Sequence, residues 1–374
     1  MELLELSKTL IKFPGTFDNR DELNKCFEFV VDYFKKKNNS NIFLNIKEKD
    51  GLKSVLISNV NALELDVLWI GHIDVVPTNN PKMYEPVVDN GILRARGASD
   101  MKSQVAQGIK LFEYVLEENL PLKYGMLIVT DEETESVCSD YWANEIGLKA
   151  KIIMDGDGSK NDMNVMCYKR KASLCIKVSW KGAPAHGSRP WDGMDANEDL
   201  ITSWTNLRKV FPYINKNNPP DDKWLVTLHA GMIKGGNAVN SISESAVLHM
   251  DFRYIEGYDD EKIFSIIKEN FVGDYKIEPM ERGFFMSTDV ENKYFKLYND
   301  ILEKSTGKKT VLEFGTGATD VRFFCGNNSD KYLQAIITSS PIGGGAHTDD
   351  EWLNIDSLYK WLDINKEYLS AIRF

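Results

Sequence analysis

The 374-residue chain carries 56 Asp and Glu against 45 Lys and Arg, a formal charge of −11 with its five histidines neutral. Its only three-residue basic runs, Lys35–Lys37 and Lys169–Lys171, are too short to follow a nucleic-acid backbone, so non-specific nucleic-acid binding is excluded as a main role. At 43% hydrophobic and 27% charged the composition is that of a globular protein, and the length exceeds what a single core fills, which argues for two domains.

The first residues, Met1-Glu2-Leu3-Leu4-Glu5, place acids where a secretion signal needs basic residues. The longest apolar runs are strand-sized, well short of the roughly 20 residues of a membrane span. Five widely spaced cysteines form no Cys-x-x-Cys pair and read as reduced thiols. These features predict a soluble, cytoplasmic protein without a membrane partner.

In chain order, Leu3, Leu6, Leu10 and Ile11 lie on one helical face, and a second helix is expected from about Asp21 to Lys37. Strands are expected at Ile42–Ile46, Ser54–Val60 and Asp66–Val76, then a helix after Asp100 that stops near Pro121. A strand at Tyr124–Thr130, a helix at about Val137–Ile146 and an apolar strand at Ile152–Met154 follow. Strands this apolar, alternating with helices, predict an α/β domain with a mainly parallel mixed sheet.

From Ser173 the pattern changes, with Leu174, Ile176 and Val178 alternating with polar residues as in a sheet with one solvated face. A helix (Asn197–Val210), strands (Leu225–Ile233 and Ser245–Tyr254), a helix (Glu261–Phe271) and a strand ending near Glu278 complete an α+β sandwich. The α/β pattern returns after Phe284, with strands at Thr310–Phe314 and Leu333–Ile337 and a closing helix from Ile355. The expected division is a catalytic domain of residues 1–172 and 284–374, interrupted by an inserted domain of residues 173–283.

The strand ends carry the chemistry. A doubly wound sheet binds ligands beyond the C-terminal ends of its strands, and there the chain has His72 and Asp74, Asp100, the acidic turn Asp131-Glu132-Glu133, Asp155 and, after three glycines, His347. In an extended segment His72 and Asp74 project to one side, which suits a metal-binding imidazole held by a carboxylate. Taken singly, each has a plainer role: a turn histidine, a helix cap at Asp100, a solvated acidic turn. Asp155-Gly156-Asp157-Gly158 lacks calcium-loop spacing, because Ser159 and Lys160 follow where an acid and a glycine belong. Together the imidazoles and carboxylates form a donor set for divalent metals.

The ordered motifs GHIDVVP, RGASDMK, TDEE, MDGDG, AHGSRPWDG, GGNAVNSI, DFR, TGATDVR and GGGAHTDDE resemble the dizinc metallopeptidase and deacylase family of acetylornithine deacetylase, succinyl-diaminopimelate desuccinylase, aminoacylase and carboxypeptidase G. The resemblance extends over residues 5 to 370. It implies a zinc-exopeptidase-like catalytic domain with an inserted α+β lid and dimerisation domain. It also implies two divalent ions, zinc first and cobalt or manganese as substitutes, bridged by Asp100. His72 and Asp155 would complete one site, and Glu133 and His347 the other.

By the same resemblance, Asp74 would orient His72, Glu132 would be the general base, and His186 in the lid would reach the active site of the other subunit of a homodimer to stabilise the oxyanion. Asn240 and Arg253 match substrate-contacting positions, and Gly344 and Gly345 would line the same pocket. Asp155 stands where deacylase branches usually have Glu, which tilts the substrate toward a short peptide. Ser103-Gln104 replaces the usual glycine pair after Asp-Met-Lys. The remaining histidines, His229 and His249, read as structural.

The expected function is metal-dependent hydrolysis of an amide bond in a short peptide or N-acylated amino acid, by a hydroxide bridging the two ions. The alternative from a different class is a non-catalytic metal-binding module that holds a small ligand or partner in the interdomain cleft. Glu132 counts against it, because a pure binding site needs no general base.

Overall fold

A computed structural model describes residues 1–315, 317–325 and 334–374. Leu333, where one strand was expected to begin, and Thr316 of the TGATDVR motif lie outside the described residues. The chain forms two compact units. One contains Met1–Lys169, Met286–Gly315 and Thr319–Phe374, and the other is built on Arg170–Phe285.

The first unit holds a six-stranded mixed sheet ordered Phe43–Lys49, Leu52–Ser58, Tyr124–Val129, Glu64–His72, Lys149–Asp155, Ala335–Ile337. The last four strands run parallel and the first two are antiparallel. Valine, isoleucine and leucine bury both faces of the central strands, as parallel strands covered by helices require. Trp69, Phe112, Tyr124, Trp361 and Tyr368 fill the core between the sheet and the helices Leu3–Ile11, Arg20–Lys35, Lys102–Glu117, Lys293–Thr306 and Ile355–Ala371. The parallel register sets His72 opposite Val129 and Ile70 opposite Asp155. Three strands therefore end at one edge of the sheet, and the turns with the chemical side chains leave from there.

Several elements differ from expectation. The strand expected to run to Val76 ends at His72. The expected helix Val137–Ile146 is a short α-turn, Val137–Asp140, continued by a π-helical turn, Tyr141–Ile146, that ends at Gly147 with φ 81°. The strand near Thr310–Phe314 is present as Val311–Gly315, but it joins a three-stranded sheet with Val165–Arg170 and Met286–Ser287 rather than the main sheet. Its first three residues are exposed, so their β-forming side chains had mimicked a core strand. A further four-stranded sheet of two- and three-residue strands brings Gly343–Gly344 against Trp352–Asn354, which also pairs with Ile92–Arg94. Strands so short carry no periodicity to read.

The second unit is a four-stranded antiparallel sheet ordered Thr227–Gly235, Ser245–Tyr254, Ala172–Lys181, Asp274–Gly283. Leu174, Ile176, Val178, Trp180, Leu248, Met250 and Phe252 form its core with the helices Ala196–Val210 and Asp260–Asn270. Both helices begin at an aspartate cap: Asp195 accepts the Asn197 N–H and Asp259 the Lys262 N–H. Among the described residues, no helix is long and apolar enough to cross a membrane.

Candidate metal centre

His72 closes its strand with the ring buried. Its Nδ1 lies 3.1 Å from the Asp74 carbonyl oxygen and 3.3 Å from Asp74 Oδ1. A proton on Nδ1 donated there leaves Nε2 as the nitrogen that faces Asp100. The Asp74 carboxylate also accepts the backbone N–H groups of Glu132 and Glu133, at 3.3 and 3.0 Å, so one buried carboxylate orients the imidazole and shapes the acidic turn.

Asp100 does not cap the helix that follows. That helix starts at Lys102 and has no side-chain cap. Instead Asp100 Oδ1 is 3.2 Å from His72 Nε2, and Oδ2 is 3.2 Å from His347 Nε2. His347 Nε2 is also 3.1 Å from Glu133 Oε2. The loop carrying His347 turns sharply. Gly345 has φ 69°, and a Cβ there would stand 2.5 Å from the Asp350 carbonyl oxygen, so no other residue fits without movement.

Two sets of three donors each fall within 4.8 Å: His72, Asp100 and Glu133, and His72, Glu132 and Asp157. Asp155 joins neither set. Asp155 Oδ2 accepts the Thr319 hydroxyl and Oδ1 accepts the Asp157 N–H, whereas Asp157 Oδ1 lies 3.9 Å from His72 Nε2.

Proton affinities follow from this crowding. Burial opposes the charge on His72, yet hydrogen bonds to Asp100, Asp157 and Asp74 hold its pKa well above the usual value. His347 is pushed up to about 10 by Asp100 and Glu133. Burial works against ionisation of Asp100 as well, but both imidazoles overcome it and keep the carboxyl well below the usual range. Glu132 is shifted well upward by burial and by the Asp157 charge, and Glu133 upward mainly by burial. A cluster so crowded with carboxylates attracts cations.

The remaining expected residues have separate settings. Gly344 offers its carbonyl to the Ser99 hydroxyl at 3.5 Å. His186, Asn240 and Arg253 belong to the second unit. His186 is exposed, with Nδ1 2.8 Å from Ser188 Oγ. The Asn240 carbonyl accepts the Gly187 N–H at 2.8 Å, and Arg253 Nε donates to Asp251 at 3.0 Å. His229 and His249 sit on adjacent strands of that unit's sheet.

Sequence reasoning missed several buried polar residues around the cluster. Glu351 accepts from three backbone amides and from Arg96. Asp320 is buried, and its pKa is pushed up to about 7, chiefly by burial. Arg322 donates to Ser136 Oγ at 3.1 Å. All three stand inside quoted motifs. Glu351, however, ends a run of three acids that looks like a solvated turn.

The family model for peptidase family M20/M25/M40 matches residues 68–371. The chain belongs to that family. It is a metal-dependent hydrolase, and the purely ligand-holding alternative is not favoured. A succinyl-diaminopimelate desuccinylase of Wolbachia pipientis wMel is 24% identical over 386 residues, covering 98% of this chain and 92% of the relative. An M20 family metallo-carboxypeptidase of Sulfolobus solfataricus shares the fold at a TM-score of 0.76 and 17% identity, covering 99% of both chains. A dinuclear metal-binding M20 peptidase of Bacillus subtilis superposes with a TM-score of 0.62 and 13% identity, over 99% of this chain and 98% of that one. The two solved structures share the overall fold found here.

Proposed function

We propose that the chain hydrolyses an amide bond in a short peptide or an N-acylated amino acid, with two divalent ions, zinc foremost, in the centre of the first unit. The observation that carries this reading is Asp100, which offers one carboxylate oxygen to each of two imidazoles at 3.2 Å. The donor set fits such ions: imidazole nitrogens and carboxylate oxygens suit zinc, cobalt and manganese, and the upward shifts of both histidines show how strongly the cluster attracts positive charge. His72 and Asp157 would hold one ion and Glu133 and His347 the other, with Asp100 shared. Asp157 thus takes the role that the family resemblance implied for Asp155. When bound, the ions would polarise the scissile carbonyl and acidify the attacking water.

The protein's own groups do the rest. Glu132 belongs to the turn fixed by Asp74 and its pKa is shifted well upward by burial, which suits a base that takes a proton from water and returns it to the leaving nitrogen. Asp74 keeps the His72 ring in one tautomer. In line with the sequence resemblance, His186 stabilises the developing oxyanion in a homodimer formed through the second unit, while Asn240 and Arg253 receive the substrate carboxylate, and the Gly344–Gly345 segment lines the pocket. Arg253 would exchange its Asp251 partner for that carboxylate. The same reading makes the second unit, with the expected boundaries 173–283, a lid, and assigns the protein to the cytoplasm.

The test is a panel of dipeptides and N-acyl amino acids assayed with purified protein loaded with zinc, cobalt or manganese. Turnover of at least one class is expected with at least one metal. Stoichiometric metal and tight ligand binding without turnover on any substrate would overturn the reading.

A further inference from the structure

Three of the segments that carry the proposed metal donors, those of Asp100, His347 and Asp157, meet at one residue. Ser99 directly precedes Asp100, and its N–H and its carbonyl are each held by a different buried side chain.

On one side is Glu351, which is 1% exposed. Its Oε1 accepts the backbone N–H groups of Gly97, Ser99 and Asp100 at 3.0, 2.9 and 3.1 Å. Its Oε2 accepts Arg96 Nη1 at 2.8 Å. Glu351 stands four residues after His347 on the same tight loop, so it joins the chain segment of His347 to that of Asp100. A carboxylate that collects three amides of one loop and a guanidinium is a rigid anchor.

On the other side is Gln104, fully buried on the first turn of the helix Lys102–Glu117. Its Nε2 donates to the Ser99 carbonyl at 2.5 Å and to Ser159 Oγ at 3.2 Å. Ser159 Oγ itself donates to the Ser99 carbonyl at 3.2 Å. Ser159 lies two residues after Asp157, so this amide joins the segment of Asp157 to that of Asp100.

We propose that Glu351 and Gln104 are positioning residues that set the two metal positions separately: Glu351 the gap between Asp100 and His347, and Gln104 the gap between Asp100 and Asp157. The proposal rests on the two-metal reading above. Groups that orient metal ligands typically change affinity about 10- to 100-fold when removed, and here each loss falls on one position only.

The experiment is a zinc titration of metal-stripped protein by calorimetry, with His347→Ala and Asp157→Asn used to identify the two binding events. Glu351→Gln is expected to weaken about 10- to 100-fold the event that His347→Ala removes, leaving the other unchanged. Gln104→Ala and Ser159→Ala are expected to weaken by a similar factor the event that Asp157→Asn removes. Circular dichroism of each metal-free variant checks the fold. If Glu351→Gln leaves Arg96 without its partner and fails to fold, the Gln104 and Ser159 variants decide. Variants that weaken both events equally, or neither, overturn the proposal. A wild-type protein that takes up no zinc overturns the two-metal reading itself, a result distinct from two intact events that the variants leave unmoved.

Discussion

The two units bury different things. Among the described residues, the buried polar side chains of the second unit are Lys171, Ser173, Ser203 and Ser243, and its core is otherwise aliphatic and aromatic. The first unit buries His72, Asp74, Arg96, Asp100, Lys102, Gln104, Asp131, Asp155, Asp320, Arg322 and Glu351. Burying that many polar groups, all but Gln104 ionisable, is costly unless they are paired or hold cations. One unit is thus arranged for packing, while the other accepts electrostatic strain in order to assemble a reactive centre. That division implies that substitution of a chemical group such as Glu132 alters chemistry with little change in fold, and that core substitutions in the second unit do the reverse.

The largest expected effect is that of Glu132→Gln. Loss of a general base lowers turnover by about 10²- to 10⁴-fold, with zinc content and melting temperature close to wild type. Parallel steady-state kinetics and metal analysis check it, and a variant that has also lost its metal would blur the contrast.

Next is Phe252→Ala in the second unit, where the ring is fully buried and packs edge-on against Phe211 at 5.6 Å between centroids. It should cost about 3–5 kcal/mol of stability, measured by denaturant unfolding, while zinc affinity stays at the wild-type value.

The third concerns the two neighbouring aspartates. Asp157→Asn should abolish one zinc-binding event, whereas Asp155→Asn, whose carboxylate receives the Thr319 hydroxyl and the Asp157 N–H, should retain both with weakened affinity. Equilibrium dialysis separates the outcomes, and the opposite ranking would restore Asp155 as the ligand.

The smallest is a pH effect. His347 is raised to about 10 in the metal-free protein, so a metal ion that binds there at neutral pH must displace a proton. Affinity at that position should then rise about tenfold per pH unit below this value and fall as the pH is lowered. Titrations in buffers of different ionisation enthalpy count the proton released.

The same contrast explains what could be read from sequence. Ser245–Tyr254 was legible to the residue because alternation of apolar and polar side chains is the whole logic of a sheet with one wet face. The gathering of His72, Asp74, Asp100, Glu132, Glu133 and His347 was legible because strand ends announce themselves by the end of an apolar run. Asp157 was not. After the strand stops, the glycines on either side allow turns that no periodicity constrains, so which of two aspartates faces the imidazole depends on the backbone path. Glu351 was hidden for another reason: only the tertiary fold shows that the third acid of a surface-like run turns inward onto three amides. The helix Lys293–Thr306, absent from the expected elements, carries Phe295, Tyr298, Ile301 and Leu302 on one helical face, so its signal was present in the sequence.

The central claim is that the centre of the first unit hydrolyses amides only with its metals in place. Metal-stripped protein should therefore be titrated with zinc while hydrolysis of the best substrate from the panel is followed. Activity should start near zero and climb to a plateau at about two equivalents. Full activity in the stripped protein, unaffected by added zinc, would contradict the account.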